Sequence, residues 1–216
     1  MKLVDLSLKE LQQQLARCQN CSLWQTRTRV VIGEGDPKAK LLLLGEAPGG
    51  HEDMVSGQAF TGEAGEYLQE FLAFLNLTRE QIYLTNTVKC RPTKPSARGR
   101  YGAYANRRPK ASEIQACSPW LEQELKLVSP EIIVTLGTVP LSRLLGKNCS
   151  MKDFHGTPFF DEGHRAWVFP LFHPAAVIYN RRLKSVYLSD LARLKEFMVT
   201  VSSRAQSGEG LPGPER

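Results

Sequence analysis

Four short apolar runs, each ended by polar or turn-forming residues, recur along the chain and predict buried β-strands. They are KLLLLGEAPGG (40–50), IYLTNTVK (82–89), EIIVTLG (131–137) and WVFPLFHP (167–174). Helical patterns lie between or after them, over 62–75 and near 119–128, 138–146 and 186–200. Strands that alternate with helices are typical of a mostly parallel sheet covered on both faces, so the pattern predicts an α/β fold.

The helical signals are clearest at two places. Leu68, Phe71, Leu72 and Leu75 repeat at i, i+3, i+4 and i+7, which predicts an amphipathic helix packed on the first strand. Near the N-terminus, a serine and a glutamate have capping-box spacing (7 and 10), and leucines follow at helical intervals. We therefore expect a helix that leads the chain to Cys18.

Parallel strands of such a sheet end at one edge, where open α/β sheets bind their ligands. The segments at those ends are GEAPGG (45–50), Asn86–Arg91, Gly137-Thr138 and His173-Pro174. We expect them to line a common crevice.

The bulk composition narrows the class of protein. The 216 residues are enough for one well-buried domain, which we place at 1–201; the Gly-, Pro- and Ser-rich segment 202–216 is predicted to be a disordered tail. With 28 basic and 22 acidic residues the net charge is +6, which favours an anionic partner, with nucleic acid ahead of an acidic protein or a membrane surface. We find no secretory signal and no apolar run of membrane-spanning length, so we expect a cytoplasmic protein without a membrane partner.

The five cysteines are better explained by metal binding than by disulfides, which the cytosol disfavours and which an odd number cannot satisfy. Cys18 and Cys21 form a Cys-x-x-Cys pair, a spacing that also fits a redox motif or chance. Cys90 follows a predicted strand, and Cys117 precedes Ser118-Pro119, where a new helix is expected to begin; alternatively, Cys117 fills a helix face. Four thiolates can hold zinc or an iron–sulfur cluster, and the residues alone do not decide. Cys149 has no partner motif and is predicted to be a core residue.

Taken in order, GEAPGGHED, GQAFTGEAG, TNTVKCRP, the later Cys117 and HPAA resemble a family 4 uracil-DNA glycosylase, from about Leu15 to about Phe197. The resemblance implies a three-layer α/β/α fold with a small central parallel sheet. It also implies a four-iron, four-sulfur (4Fe-4S) cluster of structural role. Its implied ligands are Cys18, Cys21, Cys90 and Cys117.

The resemblance assigns the chemistry to two residues. Glu46 is in the position that activates or positions water, where its charge also favours the cationic sugar. His173 is similar to the histidine that donates a hydrogen bond to uracil O2, where negative charge develops. The structural alternatives are a turn cap at Pro48 for Glu46 and a packed, hydrogen-bonded histidine for His173.

Recognition requires the uracil to be flipped out of the base stack. By resemblance, Phe60 supplies the stacking ring and Asn86 reads the Watson–Crick edge, with a donor for O4 and an acceptor for N3–H. Glu52 resembles the residue that crowds the C5 edge and rejects the methyl group of thymine, and Gly49 and Gly50 are expected to present backbone amides. A core ring for Phe60 and a turn role for Asn86 are the alternatives.

The resemblance also suggests two contacts with DNA. Arg181, Arg182 and Lys184 follow HPAA where the family has a loop that presses into the duplex, although a solvated basic turn has the same composition. KPSARGRYGAYANRRPK (94–110) is longer than the usual family connection, and its interleaved basic and aromatic residues suit unpaired DNA. Disorder without a role is the competing interpretation of this insertion.

We therefore expect a monomeric enzyme that excises uracil from single- or double-stranded DNA, and the sequence identifies no clamp or polymerase partner. A related enzyme type becomes covalently attached to DNA through a histidine in an Arg-rich insertion, but this insertion contains no histidine. A non-catalytic DNA-binding or polymerase-associated iron–sulfur protein is a further alternative. An iron–sulfur redox protein is disfavoured because no flavin or nicotinamide fingerprint accompanies the cysteines.

Overall fold

The computed structural model of the protein describes residues 7–206, except the side chains of residues 63, 64, 175, 178, 179, 205 and 206. Its helices are α1 (Leu8–Leu15), α2 (Glu63–Leu75), α3 (Ala111–Val128), α4 (Thr138–Leu145), α5 (Met151–Phe154), α6 (Pro174–Tyr179) and α7 (Leu183–Gln206). Short 3-10 helices span Ser22–Gln25 and Arg79–Gln81, and a π-helical turn spans Glu52–Ser56. The last helix continues beyond 201, so the predicted disordered tail is wrong for 202–206, and the rest of it lies outside the described residues.

The strands are β1 (Glu34–Gly35), β2 (Leu41–Gly45), β3 (Tyr83–Asn86), β4 (Thr93–Pro95), β5 (Tyr104–Asn106), β6 (Ile132–Leu136), β7 (Phe159–Asp161) and β8 (Ala166–Leu171). Six of them form one sheet in the order β1-β3-β2-β6-β8-β7. The four central strands are the predicted ones and pair in parallel, whereas the two short edge strands pair antiparallel. The expected mostly parallel α/β sheet is thus confirmed.

Alternation along the strands builds two cores, one on each face of the sheet. Leu41 and Leu43 of β2 pack with α2, α6 and α7 on one face. Leu42 and Leu44 face the opposite way and pack with Leu121 and neighbouring residues of α3. This arrangement confirms the three-layer α/β/α architecture and directs the carboxyl ends of β2, β3, β6 and β8 to one edge.

The predicted N-terminal helix is present as α1. Ser7 and Glu10 form the expected capping box, with the Glu10 backbone N–H donating to Ser7 Oγ at 3.3 Å and the Ser7 N–H donating to Glu10 Oε2 at 2.8 Å. None of the described helices combines the length and apolar character that a membrane crossing requires.

The start of α3 corrects one prediction. The helix begins at Ala111 and carries Pro119 in its interior, so Cys117 lies within a helix and does not precede one. The Glu113 carboxylate accepts a 2.8 Å hydrogen bond from the Lys110 backbone N–H and so caps the first turn. Cys117 packs on the buried helix face, as in the alternative interpretation, because core packing outweighs the single backbone donor that proline lacks.

The insertion at 94–110 is ordered, contrary to the competing interpretation of disorder. β4 and β5 pair antiparallel, with Thr93 opposite Asn106 and Pro95 opposite Tyr104. We call residues 93–110 the basic hairpin.

Candidate active site

The carboxyl edge of the sheet holds a cavity of about 420 Å³, as the strand ends predict. Its lining comes from the loop after β2, the end of β3, the basic hairpin and the start of the HPAA segment. Six residues that the sequence singled out as substrate-binding or catalytic line it: Gly49, Gly50, Glu52, Phe60, Asn86 and His173. Gly137-Thr138 does not line the cavity but backs it, since a methyl group added at Gly137 would lie 3.2 Å from His173 Cβ.

Phe60 and Asn86 lie side by side because Gly45, the last residue of β2, has no side chain. A methyl group at Gly45 would lie 2.4 Å from Asn86 Oδ1 and 2.6 Å from Phe60 Cζ. Phe60 also has a positive φ of 54°, which is uncommon for a bulky residue. Arg79 fixes this conformation by donating hydrogen bonds to the carbonyls of Ala59 (2.6 Å) and Phe60 (3.2 Å). Strained backbone held by its surroundings is common at functional sites.

A fully buried ion pair supports Asn86 from below. The Lys89 ammonium donates a 2.8 Å hydrogen bond to the Asn86 carbonyl and is paired with the Glu124 carboxylate of α3. Glu124 Oε2 also accepts a 2.8 Å bond from the Thr85 hydroxyl. Because both charges are paired and hydrogen-bonded, the pair rigidifies the backbone that carries the Asn86 side-chain amide. This pair was not predicted, because its only signal in the sequence is a lysine at the end of an apolar run.

Glu52 and Gly49 are joined by a hydrogen bond at the cavity wall. Glu52 is buried, and its two carboxylate oxygens accept hydrogen bonds from the backbone N–H groups of Gly49 (3.1 Å) and Gly62 (3.0 Å). The carboxylate thereby joins the loop after β2 to the start of α2. The Gly49 amide, expected to face the ligand, is occupied by this internal bond.

His173 follows β8 and borders the cavity. Burial lowers the pKa of its imidazole below the ordinary value, so the ring is neutral at pH 7. A neutral imidazole keeps one N–H donor, which suffices to stabilise an anionic oxygen.

Glu46 directly follows β2 and precedes Ala47, which lines the cavity. Its carboxyl group is half-buried, outside the cavity lining itself. Burial raises its pKa above the ordinary value, and the positive charge of Arg108 partly opposes that shift. A carboxylate with a raised pKa is a stronger base, the property that water activation requires.

One wall of the cavity was not anticipated, because it belongs to the basic hairpin. Arg91 is buried and also lines the cavity. It donates from Nε to Asn106 Oδ1 at 2.7 Å and from its terminal nitrogens to the carbonyls of Tyr101 (3.3 Å) and Tyr104 (3.2 Å). The sequence does not indicate that Arg91 anchors the hairpin, because the residue is notable there only as the neighbour of Cys90.

The predicted DNA-binding cluster lies apart from the cavity. Arg181 and Arg182 are exposed in the turn before α7, and Lys184 is exposed in its first turn. Arg181 and Lys184 instead border a second cavity of about 430 Å³ between α2 and α7.

The four candidate ligand cysteines gather beyond the carboxyl end of β3, where Cys90 follows the strand and Trp120 connects Cys18 to the same cluster. Cys90 and Cys117 are buried with Leu23 and Val88, and Cys21 packs against them. Cys18 Sγ accepts a 3.2 Å hydrogen bond from Trp120 Nε1, and Cys90 Sγ accepts one from Arg27 at 3.2 Å. Cys149 lies elsewhere: it was predicted to be a core residue, and it is partly buried against the core around Leu141 and Met151.

Burial and mutual repulsion disfavour the charged form of these thiols. Burial raises the pKa of Cys90 to about 11 and that of Cys117 to about 12, and the negative charges of the neighbouring cysteines, Cys18 among them, add to the effect. A cationic centre would offset this mutual repulsion of four thiolates. In the described part of the chain, no three His, Cys, Asp or Glu side chains are placed to hold one metal ion.

Comparison with known proteins identifies relatives. Residues 32–193 match the family model described as "UDG: Uracil DNA glycosylase superfamily". The chain is 37% identical over 201 residues to a type-4 uracil-DNA glycosylase of Sulfurisphaera tokodaii, covering 90% of this chain and 86% of the relative. It is 38% identical over 192 residues to the type-4 enzyme of Saccharolobus solfataricus (85% and 82%) and 34% over 189 residues to that of Thermotoga maritima (86% and 92%).

Proposed function

The chain belongs to the uracil-DNA glycosylase superfamily, and we propose that it hydrolyses the N-glycosidic bond of uracil in DNA, as a base excision repair enzyme. The observation that carries the proposal is the cavity at the sheet edge, where Phe60, Asn86 and His173 meet. Its volume of about 420 Å³ exceeds what a single pyrimidine needs, which leaves room for the attached sugar and the attacking water.

In this mechanism the flipped uracil stacks on Phe60, and its edge is read by Asn86. The carboxamide donates to O4 and accepts from N3–H, a pattern that cytosine cannot match without leaving a buried polar group unpaired. The Lys89–Glu124 pair holds the Asn86 backbone, so the amide is positioned before the base arrives.

Bond cleavage needs stabilisation at both ends. As the bond between C1′ and N1 breaks, its electron pair leaves with uracil, and the neutral His173 imidazole donates a hydrogen bond to O2 of the developing anion. Glu46 stabilises the positive sugar and takes a proton from the water whose oxygen attacks C1′. That proton then neutralises the departing uracil.

Glu52 has a supporting task in the proposal. Its bonds to Gly49 and Gly62 fix the loop that borders the cavity, and its buried side chain remains the candidate for crowding the C5 edge. Arg181, Arg182 and Lys184 are proposed to contact phosphate from the turn before α7, because they are exposed and basic.

We also propose that Cys18, Cys21, Cys90 and Cys117 hold a 4Fe-4S cluster. The cluster would be structural and would tie the N-terminal segment to β3 and α3. This assignment is supported by the packing of Cys21, Cys90 and Cys117 around Leu23 and Val88, and by the hydrogen bond that links Cys18 to Trp120 of the same cluster. The proposal includes a cytoplasmic location, where a repair enzyme reaches the genome, and a monomeric protein without a membrane partner.

Turnover is favoured over covalent capture of DNA. The covalent type attaches to DNA through a histidine in an Arg-rich insertion, and the basic hairpin contains no histidine. We therefore expect free uracil and an abasic site, with no protein–DNA adduct that survives denaturation.

An excision assay tests the function. Single- and double-stranded oligonucleotides that differ only in carrying uracil, thymine or cytosine at one position are incubated with the protein and then treated with alkali. We expect strand breaks only at uracil, and a loss of at least 100-fold in rate for Asn86→Ala with DNA binding retained. An absence of breaks above the protein-free control would refute the proposal, and equal loss of binding and cleavage would assign Asn86 to the fold.

A further inference from the structure

The excess positive charge of the protein is concentrated in the basic hairpin. Residues 93–110 contain no acidic residue and six basic ones: Lys94, Arg98, Arg100, Arg107, Arg108 and Lys110. The remainder of the chain has 22 basic and 22 acidic residues, so these six account for the whole net charge of +6. Arg107 is ion-paired with Glu113 at 2.6 Å, but the positive character of the segment remains.

This charge lies at the cavity and not on a remote surface. Arg98, Arg100, Tyr101 and Tyr104 all line the cavity that we assign to the flipped uracil. The basic and aromatic residues of the hairpin therefore border the path by which a nucleotide enters.

Three contacts hold the hairpin in this position. Arg91 anchors its backbone through the carbonyls of Tyr101 and Tyr104, as described above. The Tyr101 ring packs directly on Gly50, where an added methyl group would lie 2.4 Å from Cδ2. The same ring meets His51 edge-to-face, with centroids 6.3 Å apart. The hairpin thus packs against the loop after β2, whereas an unattached surface loop would make no such contacts.

The outward side chains have the chemistry that binds unpaired DNA. Arg98 is exposed, and Tyr104 exposes 37% of its surface. Guanidinium groups bind phosphate in any sequence, and an aromatic ring stacks on any unpaired base.

We propose that the basic hairpin binds the DNA strand that carries the uracil, with Arg98 on a phosphate next to the flipped nucleotide and Tyr104 stacked on a neighbouring unpaired base. The inference rests on the proposed function, because it takes the cavity as the uracil site. Since the stacked base must be unpaired, the hairpin favours uracil in single-stranded DNA over uracil in a duplex.

Salt dependence of binding separates the two contacts. Binding is measured to a single-stranded oligonucleotide with thymine in place of uracil, so that no turnover occurs, over a series of salt concentrations. Loss of one phosphate contact lowers the slope of log affinity against log salt by about 0.7 on a single strand. Arg98→Ala is expected to reduce the slope by this amount, whereas Arg98→Lys keeps it. Tyr104→Ala is expected to weaken binding by about tenfold at every salt concentration without changing the slope.

Lys126→Ala is the matched control, because Lys126 is exposed near the end of α3, at the opposite edge of the sheet. It removes the same charge and is expected to leave slope and affinity unchanged. An unchanged slope in Arg98→Ala, an equal change in Lys126→Ala, or an equal loss by Tyr104→Ala on duplex and single strand would overturn the proposal. Uracil release by the wild-type protein is recorded in parallel, so that failure of the hairpin proposal remains distinct from failure of the proposed function.

Discussion

Gly45→Ala is the substitution that most sharply separates function from stability in this fold. Gly45 ends β2, and an added methyl group would lie 2.4 Å from Asn86 Oδ1 and 2.6 Å from Phe60 Cζ. Carbon atoms do not approach this closely, so both groups must move. Each contact is with the far end of a side chain, and rotation of the amide and the ring relieves it without displacing the strand.

The magnitudes follow from that geometry. Extra methylenes in a packed site cost about 1–3 kcal/mol, and the low end applies because the two side chains can rotate. A loss of about 1 kcal/mol lowers Tm by about 2–4 °C in a domain of this size. The chemistry suffers more, because a displacement of about 1 Å at a reacting site costs on the order of 100-fold in rate.

The assay compares Tm and the single-turnover rate of uracil excision for wild type, Gly45→Ala and Gly146→Ala. Gly146 is a matched control because it ends α4 in a left-handed conformation (φ 65°) with no atom within 4 Å of an added methyl group. Alanine there costs about 1–2 kcal/mol through backbone strain alone. We expect similar small decreases in Tm for both variants and a 100-fold loss of rate only for Gly45→Ala.

Two results would refute this reasoning. A Gly45→Ala enzyme with the wild-type rate would mean that uracil does not bind between Phe60 and Asn86. A rate loss of the same size in Gly146→Ala would mean that activity follows overall stability and not the geometry of the cavity.

Three further changes test other parts of the site and fold. Because burial raises the pKa of Glu46, the excision rate is expected to fall with decreasing pH at a higher pH than an ordinary glutamate would give, and Glu46→Gln should remove this acid limb and lower the rate at least 100-fold. His164 hydrogen-bonds Glu122 (3.0 Å), and this contact raises the pKa of the imidazole to about 9. The ion pair therefore contributes about 1 kcal/mol to the free energy of unfolding below pH 6.5, and this contribution disappears as the pH rises through 9. Measurements of Tm against pH should show this loss in wild type and not in His164→Gln. Cys117→Ala should abolish visible cluster absorption and lower the iron content, whereas Cys149→Ala should keep both.

Each of these expectations has a contradicting outcome. An acid limb that persists in Glu46→Gln would assign the titration to another group. Equal pH profiles of Tm in wild type and His164→Gln would mean that the ion pair does not contribute to stability. Full iron content in Cys117→Ala would exclude this residue as a ligand.

The central strands and the first helix were predictable because their signals are local. The run 41–45 is apolar at every position until the glycine. The capping box of Ser7 and Glu10 marks the start of the first helix within four residues. The relation between Phe60 and Asn86 was reached only through resemblance to a family, since no local pattern brings the two together. Their contact depends on the missing side chain of Gly45, which is a property of the packed fold.

The elements that were predicted wrongly or missed also have physical explanations. Ser118-Pro119 has the local form of a helix start, but the helix had already begun at Ala111, where Glu113 caps it and Arg107 holds Glu113. The basic hairpin lacks a clear strand alternation, and its order depends on a buried arginine outside its own strands. The edge strands β1 and β7 are two and three residues long, too short to give a pattern. A competing cap, an anchor distant in the sequence and short strand length thus explain the three misses.

The most direct test of the central claim is chemical detection of the released base. A uracil-containing oligonucleotide is incubated with the protein, and free uracil and abasic sites are both quantified while the protein is checked for bound DNA under denaturing conditions. We predict one free uracil for each abasic site, with no adduct and with a rate at least 100-fold lower in His173→Ala. Abasic sites without free uracil, a denaturation-resistant adduct, or no reaction at all would contradict the account.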